Sequence, residues 1–169
     1  DETGKIEEPK QVYPLSKLSE ILKWCYKNGK QIWEYVYENE GEEIKDYLYE
    51  VWLVMVNSIN RGLKTEGALP GSLKLARKAA SYYTRLQNFS QEKRKNAIIY
   101  AYALAVSEEN AAGGKIVTAP TCGSAGILPA VLYWANQYNG NFDNQIINAI
   151  STSILICKVQ KRQITTSRK

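Results

Sequence analysis

A single thiol, Cys122, lies where two kinds of local sequence meet. A short β-type run, residues 116–118, precedes it, and an apolar helical stretch follows it at once. Backbone N–H groups at the start of a helix stabilise negative charge, so this position favours the thiolate. Gly123 lets the backbone approach a bound group, and Ser124 can cap the helix or donate to a ligand. The spacing alone also fits a small buried cysteine beside a helix start.

Polar groups that could face a ligand lie in two further places. Glu109 and Asn110 end an apolar helical stretch, where they would point at a ligand, cap the helix or form a surface pair. Lys74 and Arg77 are expected one turn apart on a helix. One interpretation is that they hold the carboxylate of a ligand, with Arg77 binding it in a bidentate fork. The other is that they form a solvated basic face.

The composition excludes several classes of chemistry. The 169 residues contain no His, which rules out His-based triads and His-ligated zinc within this sequence. Three Cys without a CxxC pair argue against a disulfide framework and fit a reducing, cytoplasmic compartment. Cys25 lies on an apolar helical stripe and is expected in the core, whereas the context of Cys157 indicates nothing specific. No apolar run is long enough to span a bilayer, and no P-loop is present.

Hydrophobic periodicity predicts an all-α domain with one functional loop between two buried helices. We expect a linker over residues 1–14, a helical domain over 15–157 and a basic tail over 158–169, either solvated or bound to an acidic partner. The expected helices span residues 15–28, 32 to near Gly41, 44–62, 73–87, 91–112, 126–138 and 143 to about 157. Pro129 fits only near the first turn of its helix, where a missing N–H costs little.

Two segments together resemble a known family. Residues 107–132 read Ser-Glu-Glu-Asn-Ala-Ala-Gly-Gly-Lys-Ile-Val-Thr-Ala-Pro-Thr-Cys-Gly-Ser-Ala-Gly-Ile-Leu-Pro-Ala-Val-Leu. This stretch closely resembles the signature of the iron–sulfur-dependent L-serine dehydratases (L-serine ammonia-lyases). Residues 60–74, Asn-Arg-Gly-Leu-Lys-Thr-Glu-Gly-Ala-Leu-Pro-Gly-Ser-Leu-Lys, are similar to the same family in the same order. The resemblance runs from about residue 13 to about residue 153.

The resemblance implies a helical α domain that binds a [4Fe–4S] cluster through cysteine thiolates, one of them at the position of Cys122. It implies a cytoplasmic lyase of amino-acid degradation and gluconeogenesis that converts L-serine to pyruvate and ammonia. A cluster iron would act as a Lewis acid on the serine hydroxyl, and the base is unassigned. The residues that we expect at the substrate are Thr121, Gly123, Ser124, Asn110, Glu109, Lys74 and Arg77.

The sequence also departs from the family pattern. Family members continue into a Gly-Cys-Gln-type segment with further cluster cysteines, whereas residues 154–169 do not match it, and Cys157 is in no matching motif. One matched cysteine cannot hold a cuboidal cluster. The family also has a His-containing β domain or subunit. We therefore expect a truncated or frame-shifted α domain, inactive alone and oligomeric with its β part.

Two other functions remain open at this point. A non-catalytic helical interaction module would use the basic end of the chain to bind an acidic partner. A pyridoxal-phosphate enzyme using Lys115 is less favoured, since such enzymes seat the phosphate on βα units and this sequence predicts helices. Binding to nucleic acid or membranes is not expected.

Overall fold

The computed structural model describes residues 12–118, 122–140 and 143–166. Within these ranges there are seven helices and no strand, which confirms the all-α class. The helices are α1 (Leu18–Asn28), α2 (Ile32–Glu40), α3 (Ile44–Lys64), α4 (Ala79–Leu86), α5 (Gln91–Ala111), α6 (Cys122–Asn139) and α7 (Asp143–Thr166). None of the described helices has the length and apolar character needed to cross a bilayer.

Two short helices end at the glycines that the sequence marks. Gly29 has a φ of 63° and its N–H turns back to the carbonyls that end α1. Gly41 has a φ of 87° and donates to the carbonyl of Tyr37 at 2.9 Å, which closes α2. Glycine adopts positive φ without steric cost, so local sequence is enough to fix both boundaries.

The helices enclose two apolar clusters. The first lies among α1, α2, the first half of α3 and α7, and its members include Ile21, Cys25, Tyr35, Leu48, Trp52, Ile147 and Ile150. Tyr13, from the expected linker, joins it and stacks on Tyr35 with the ring centroids 6.0 Å apart. The second cluster joins the end of α3 to α4, α5 and α6, through Ile59, Leu86, Ile98, Tyr102, Val106 and Ala130. Cys25 is therefore a core residue, as expected.

Gly62 has a different role from the helix end expected of it. Helix α3 continues to Lys64, and Gly62 faces the backbone of α5. A Cβ at Gly62 would lie 2.7 Å from the Cα and carbonyl carbon of Ala105, and closer still to its oxygen. The missing side chain is thus what allows α3 and α5 to pack at this distance.

The helix expected over residues 73–87 is only half present. Helix α4 begins at Ala79, and the preceding residues form a small hairpin instead. The N–H of Leu69 donates to the Leu75 carbonyl at 2.7 Å, and that of Arg77 donates to the Gly67 carbonyl at 2.8 Å. Backbone groups that would extend the helix are therefore satisfied across the hairpin.

Helices α6 and α7 are longer than the periodicity indicates. Helix α6 begins at Cys122, so Pro129 lies inside it and not near its first turn. Proline removes a single helical hydrogen bond, and the buried packing of Pro129 outweighs that loss. Helix α7 continues to Thr166 and takes in most of the expected tail. The apolar middle of α5 is not buried all round, because Tyr100 is 68% exposed.

Replacing Gly62 by Ala tests the contact between α3 and α5. Alanine favours a helix over glycine by about 1 kcal/mol, but the new methyl would overlap the Ala105 backbone. We expect the free energy of unfolding to fall by about 1–3 kcal/mol in urea denaturation. The exposed Asn57→Ala change in the same helix is the control and should leave stability equal or higher. Equal stability of the Gly62→Ala variant and the wild type would contradict this packing.

Candidate functional site

The last turn of α5 contains a buried carboxylate that pairs with two arginines. The Glu109 side chain is 8% exposed; its Oε2 accepts from Arg61 Nε at 2.9 Å and its Oε1 from Arg77 Nη1 at 3.2 Å. Arg77 is equally buried, with 7% of its side chain exposed. Buried charges need partners, and here each carboxylate oxygen has one.

The segment that follows α5 is held by contacts with Arg61 and with the last turn of α5. Arg61 Nη2 donates to the Lys115 carbonyl at 2.6 Å, and the Gly114 N–H donates to the Glu109 carbonyl at 2.8 Å. A Cβ at Gly114 would lie 2.7 Å from Glu109 Oε2, so a side chain there would require the carboxylate to move from its present position. The segment that leads towards α6 therefore starts from an anchored position.

Glu108 organises the neighbouring helix. Its Oε1 accepts from the backbone N–H groups of Lys78 and Ala79 at 2.6 and 3.1 Å. These groups lie at the start of α4, where N–H donors lack partners within the helix. Glu108 is thus a buried cap for α4, supplied by another helix, and its negative charge suits the helix dipole.

A cavity of about 170 Å³ lies beside the first turns of α6. Its walls come from α3, α6, α7 and the segment before α6, and are mostly apolar: Met55, Val117, Thr118, Ser124, Ala125, Leu128, Pro129, Ser153, Ile154 and Cys157. Ser124 is half-buried here. The polar groups on its surface are hydroxyls and one thiol, so the site has neither a carboxylate nor a cation among its described lining residues.

The structure brings together only some of the residues expected at a substrate. Glu109 and Arg77 form a direct pair, whereas Lys74 and Asn110 are exposed. The helical placement of Lys74 and Arg77 is wrong, because Lys74 occupies a turn with a φ of 42° and Arg77 pairs within the hairpin. The roles of all four in substrate binding stay predictions.

The expected centre of the site is only partly described. Cys122 is the first residue of α6 and Gly123 the second, so this position in the chain does lie at a helix start. The side chain of Cys122 and the whole of Thr121 lie outside the described residues. The ligand role of Cys122 and the substrate roles of Thr121, Gly123 and Ser124 accordingly stay predictions.

Sequence reasoning missed Arg61 and Glu108. Arg61 lies within residues 60–74, and its neighbour Gly62 marks the place where α3 meets α5. The sequence does contain a signal for Glu108: Glu108 and Glu109 are consecutive carboxylates after an apolar helical stretch. Carboxylates that a helix places in a core need hydrogen-bond donors from other parts of the chain. What the sequence does not show is which donors these are.

The described thiols do not form a set of cluster ligands. Among the side chains that the structure describes, which do not include that of Cys122, no three Cys, Asp or Glu side chains come close enough to hold a metal ion. Cys157 faces the cavity near α6, but Cys25 is in the first apolar cluster, where burial raises the pKa of its thiol. A four-iron cluster needs several thiolates, so the described residues alone do not fit one.

Comparison with known proteins defines the class of protein. The family model described as "Serine dehydratase alpha chain" matches residues 18–168. The chain therefore belongs to the serine dehydratase alpha chain family.

Individual relatives agree with this membership. The chain is 42% identical over 144 residues to the L-serine dehydratase of Haemophilus influenzae, covering 80% of this chain and 32% of the relative. It is 42% identical over 137 residues to L-serine dehydratase 2 of Escherichia coli, covering 75% of this chain and 30% of the relative. It is 43% identical over 145 residues to the L-serine dehydratase of Streptomyces coelicolor, covering 80% and 31%. The chain thus spans about a third of the length of these curated relatives.

Truncating Glu108 tests the cap that α5 supplies to α4. Glu108→Ala would remove the acceptor of the Lys78 and Ala79 N–H groups, at a cost of about 1–2 kcal/mol in the free energy of unfolding. Glu108→Gln keeps an acceptor oxygen and should lose clearly less. Urea denaturation would measure both changes, and equal losses for the two variants would refute the capping role.

Proposed function

We propose that this chain is the cluster-binding α part of an L-serine ammonia-lyase. With the rest of the enzyme, it would remove the hydroxyl and α-proton of L-serine as water and form aminoacrylate, which hydrolyses to pyruvate and ammonia. The observation that carries the proposal is the match of residues 18–168 to the serine dehydratase alpha chain. The start of α6 at Cys122 supports it, because the backbone N–H groups at the start of a helix stabilise a thiolate.

Cys122 is our candidate for one ligand of a [4Fe–4S] cluster. The described residues add only Cys157 near α6, so the other ligands must come from residues outside the described ranges or from another part of the enzyme. We derive no chemical step from the cluster. The contribution assigned to this chain is to present a thiolate at a helix start and to hold the neighbouring segment.

The partners proposed for the chain follow from the same assignment. They are L-serine, a β domain or β subunit that supplies the missing acid–base group, and further copies in an oligomer. The proposed compartment is the cytoplasm, and the proposed role is amino-acid degradation that feeds gluconeogenesis.

The alternative of an interaction module with a free basic tail has less support. Lys158, the first residue of the expected tail, lies within α7. Its Nζ is 4.5 Å from the Tyr13 ring centroid and 3.8 Å from Glu40 Oε1. This cation is therefore used within the domain, which leaves less charge for an acidic partner.

The isolated chain should have no L-serine deaminase activity, because it contains no His and the described residues supply no complete ligand set. A coupled assay for pyruvate would measure this after incubation with iron, sulfide and L-serine without air. Pyruvate formation that disappears in Cys122→Ala would show that the isolated chain is sufficient and would overturn this prediction.

A chimera tests the proposed function itself. The region of the Haemophilus influenzae L-serine dehydratase that matches this chain would be replaced by the corresponding residues of this chain. We expect a folded chimera that forms pyruvate and binds iron and sulfide. Cys122→Ala should abolish both, whereas Cys25→Ala should keep both, since Cys25 is a core residue. A folded chimera without activity, or one unaffected by Cys122→Ala, would contradict the proposal.

A further inference from the structure

Helix α6 contains no charged residue, and yet one of its faces is open to solvent. Its 18 residues include no Asp, Glu, Lys or Arg. One side of the helix packs into the second apolar cluster through Ala130. On another side Ile127 is 60% exposed, Val131 42% and Tyr138 38%. These three residues are spaced by four and by seven positions, so they form one stripe along the helix.

Helix α5 widens this stripe into a surface. The two helices meet at Gly126, where a Cβ would lie 3.0 Å from the Ala103 carbonyl oxygen and 3.0 Å from Ser107 Oγ. Tyr100 lies about one turn before Ala103 on the same side of α5, and its ring is largely exposed. Residues 96, 100, 103 and 107 of this side of α5 have no charge either. We call the surface formed by Tyr100, Ile127, Val131 and Tyr138 the α5–α6 face.

The α5–α6 face differs from the single apolar side chains that are exposed elsewhere. Tyr47 of α3 is 59% exposed, but Glu43 and Glu50 lie about one turn to either side of it. Single exposed apolar residues are normal, whereas a continuous apolar surface marks a contact with other polypeptide. The face ends at a charge only near Lys95, whose Nζ is 5.7 Å from the Tyr138 ring centroid. We therefore expect this face to be covered.

The rest of the same enzyme is the occupant that the observations favour. In the curated relatives, the region that matches this chain makes up about a third of the protein. A segment of the same polypeptide meets an open face at an effective concentration on the order of millimolar, which a second copy rarely reaches. A second copy would also bring together two chains of net charge +5. The face offers no cation to an acidic partner, so its covering surface should be apolar and uncharged.

We propose that the α5–α6 face packs against the part of the L-serine dehydratase that lies outside the region matched by this chain. Uncharged apolar side chains of that part would cover Tyr100, Ile127, Val131 and Tyr138. A helix that is apolar on every side belongs in a protein core, and this contact would give α6 such a place. The inference rests on the proposed function, because the occupant is part of this enzyme only if the chain is its α part.

The alkylation rate of an introduced cysteine tests the proposal. Ile127→Cys and, as a control, Tyr47→Cys are made in the isolated chain and in the Haemophilus influenzae chimera. Iodoacetamide labelling is then followed by peptide mass spectrometry. The two positions are almost equally exposed, so they should react at similar rates in the isolated chain. In the chimera, position 127 should react about tenfold or more slowly than position 47, because a covered thiol reacts only when the contact opens.

Three results would overturn the proposal. The first is equal labelling of positions 127 and 47 in the chimera. The second is a parallel slowing at both positions, which would report a general change and not cover of this face. The third is labelling of position 127 that slows in the isolated chain as the chain is concentrated, because a second copy would then be the occupant.

The intact Haemophilus influenzae enzyme provides the same comparison if the chimera does not assemble. Cysteines at its positions aligned with residues 127 and 47 should differ in labelling rate in the same direction, and equal rates there would also overturn the proposal. Labelling does not depend on activity. A folded, inactive chimera with a protected position 127 would contradict the proposed function alone, whereas an active chimera with an open position 127 would contradict only this inference.

Discussion

The close approach of α3 and α5 at Gly62 is the constraint on which the rest of the structure depends. Gly62 has no side chain, so the helix backbones can meet there at Ala105. Arg61 directly precedes Gly62, and Glu109 follows Ala105 by one helical turn. The contact therefore sets the distance across which Arg61 reaches Glu109. A larger residue at Gly62 would separate the helices and with them this pair.

Buried carboxylates at the end of α5 connect segments that are distant in sequence. Glu108 binds the N–H groups at the start of α4, and Glu109 binds arginines from α3 and from the hairpin before α4. Both oxygens of Glu109 have arginine partners, whereas Glu108 is held through Oε1 and its Oε2 is buried without a partner. The last turn of α5 thus acts as a junction for α3, α4 and the segment towards α6.

The family membership and the local geometry support the proposed function in different ways. The match over residues 18–168 defines the class of protein, while the geometry shows how one region of this chain is held. Cys122 begins α6 beside a cavity that is largely apolar, and the chain before it is anchored at Lys115. The N–H groups at the start of a helix stabilise negative charge, so the position of Cys122 in the chain suits a thiolate.

The sequence by itself determined the all-α class, the ends of α1 and α2, and the place of the family motif. Gly29 and Gly41 act through their own backbone angles, and such local signals need no distant partner. Only the tertiary structure decided that Arg77 leaves the expected helix and that Gly62 is a contact and not an end. It also decided that Arg61 and Arg77 are the hydrogen-bond donors to the Glu109 carboxylate. These outcomes depend on groups far apart in the chain, whose pairing energies outweigh local helix preference and are invisible to periodicity.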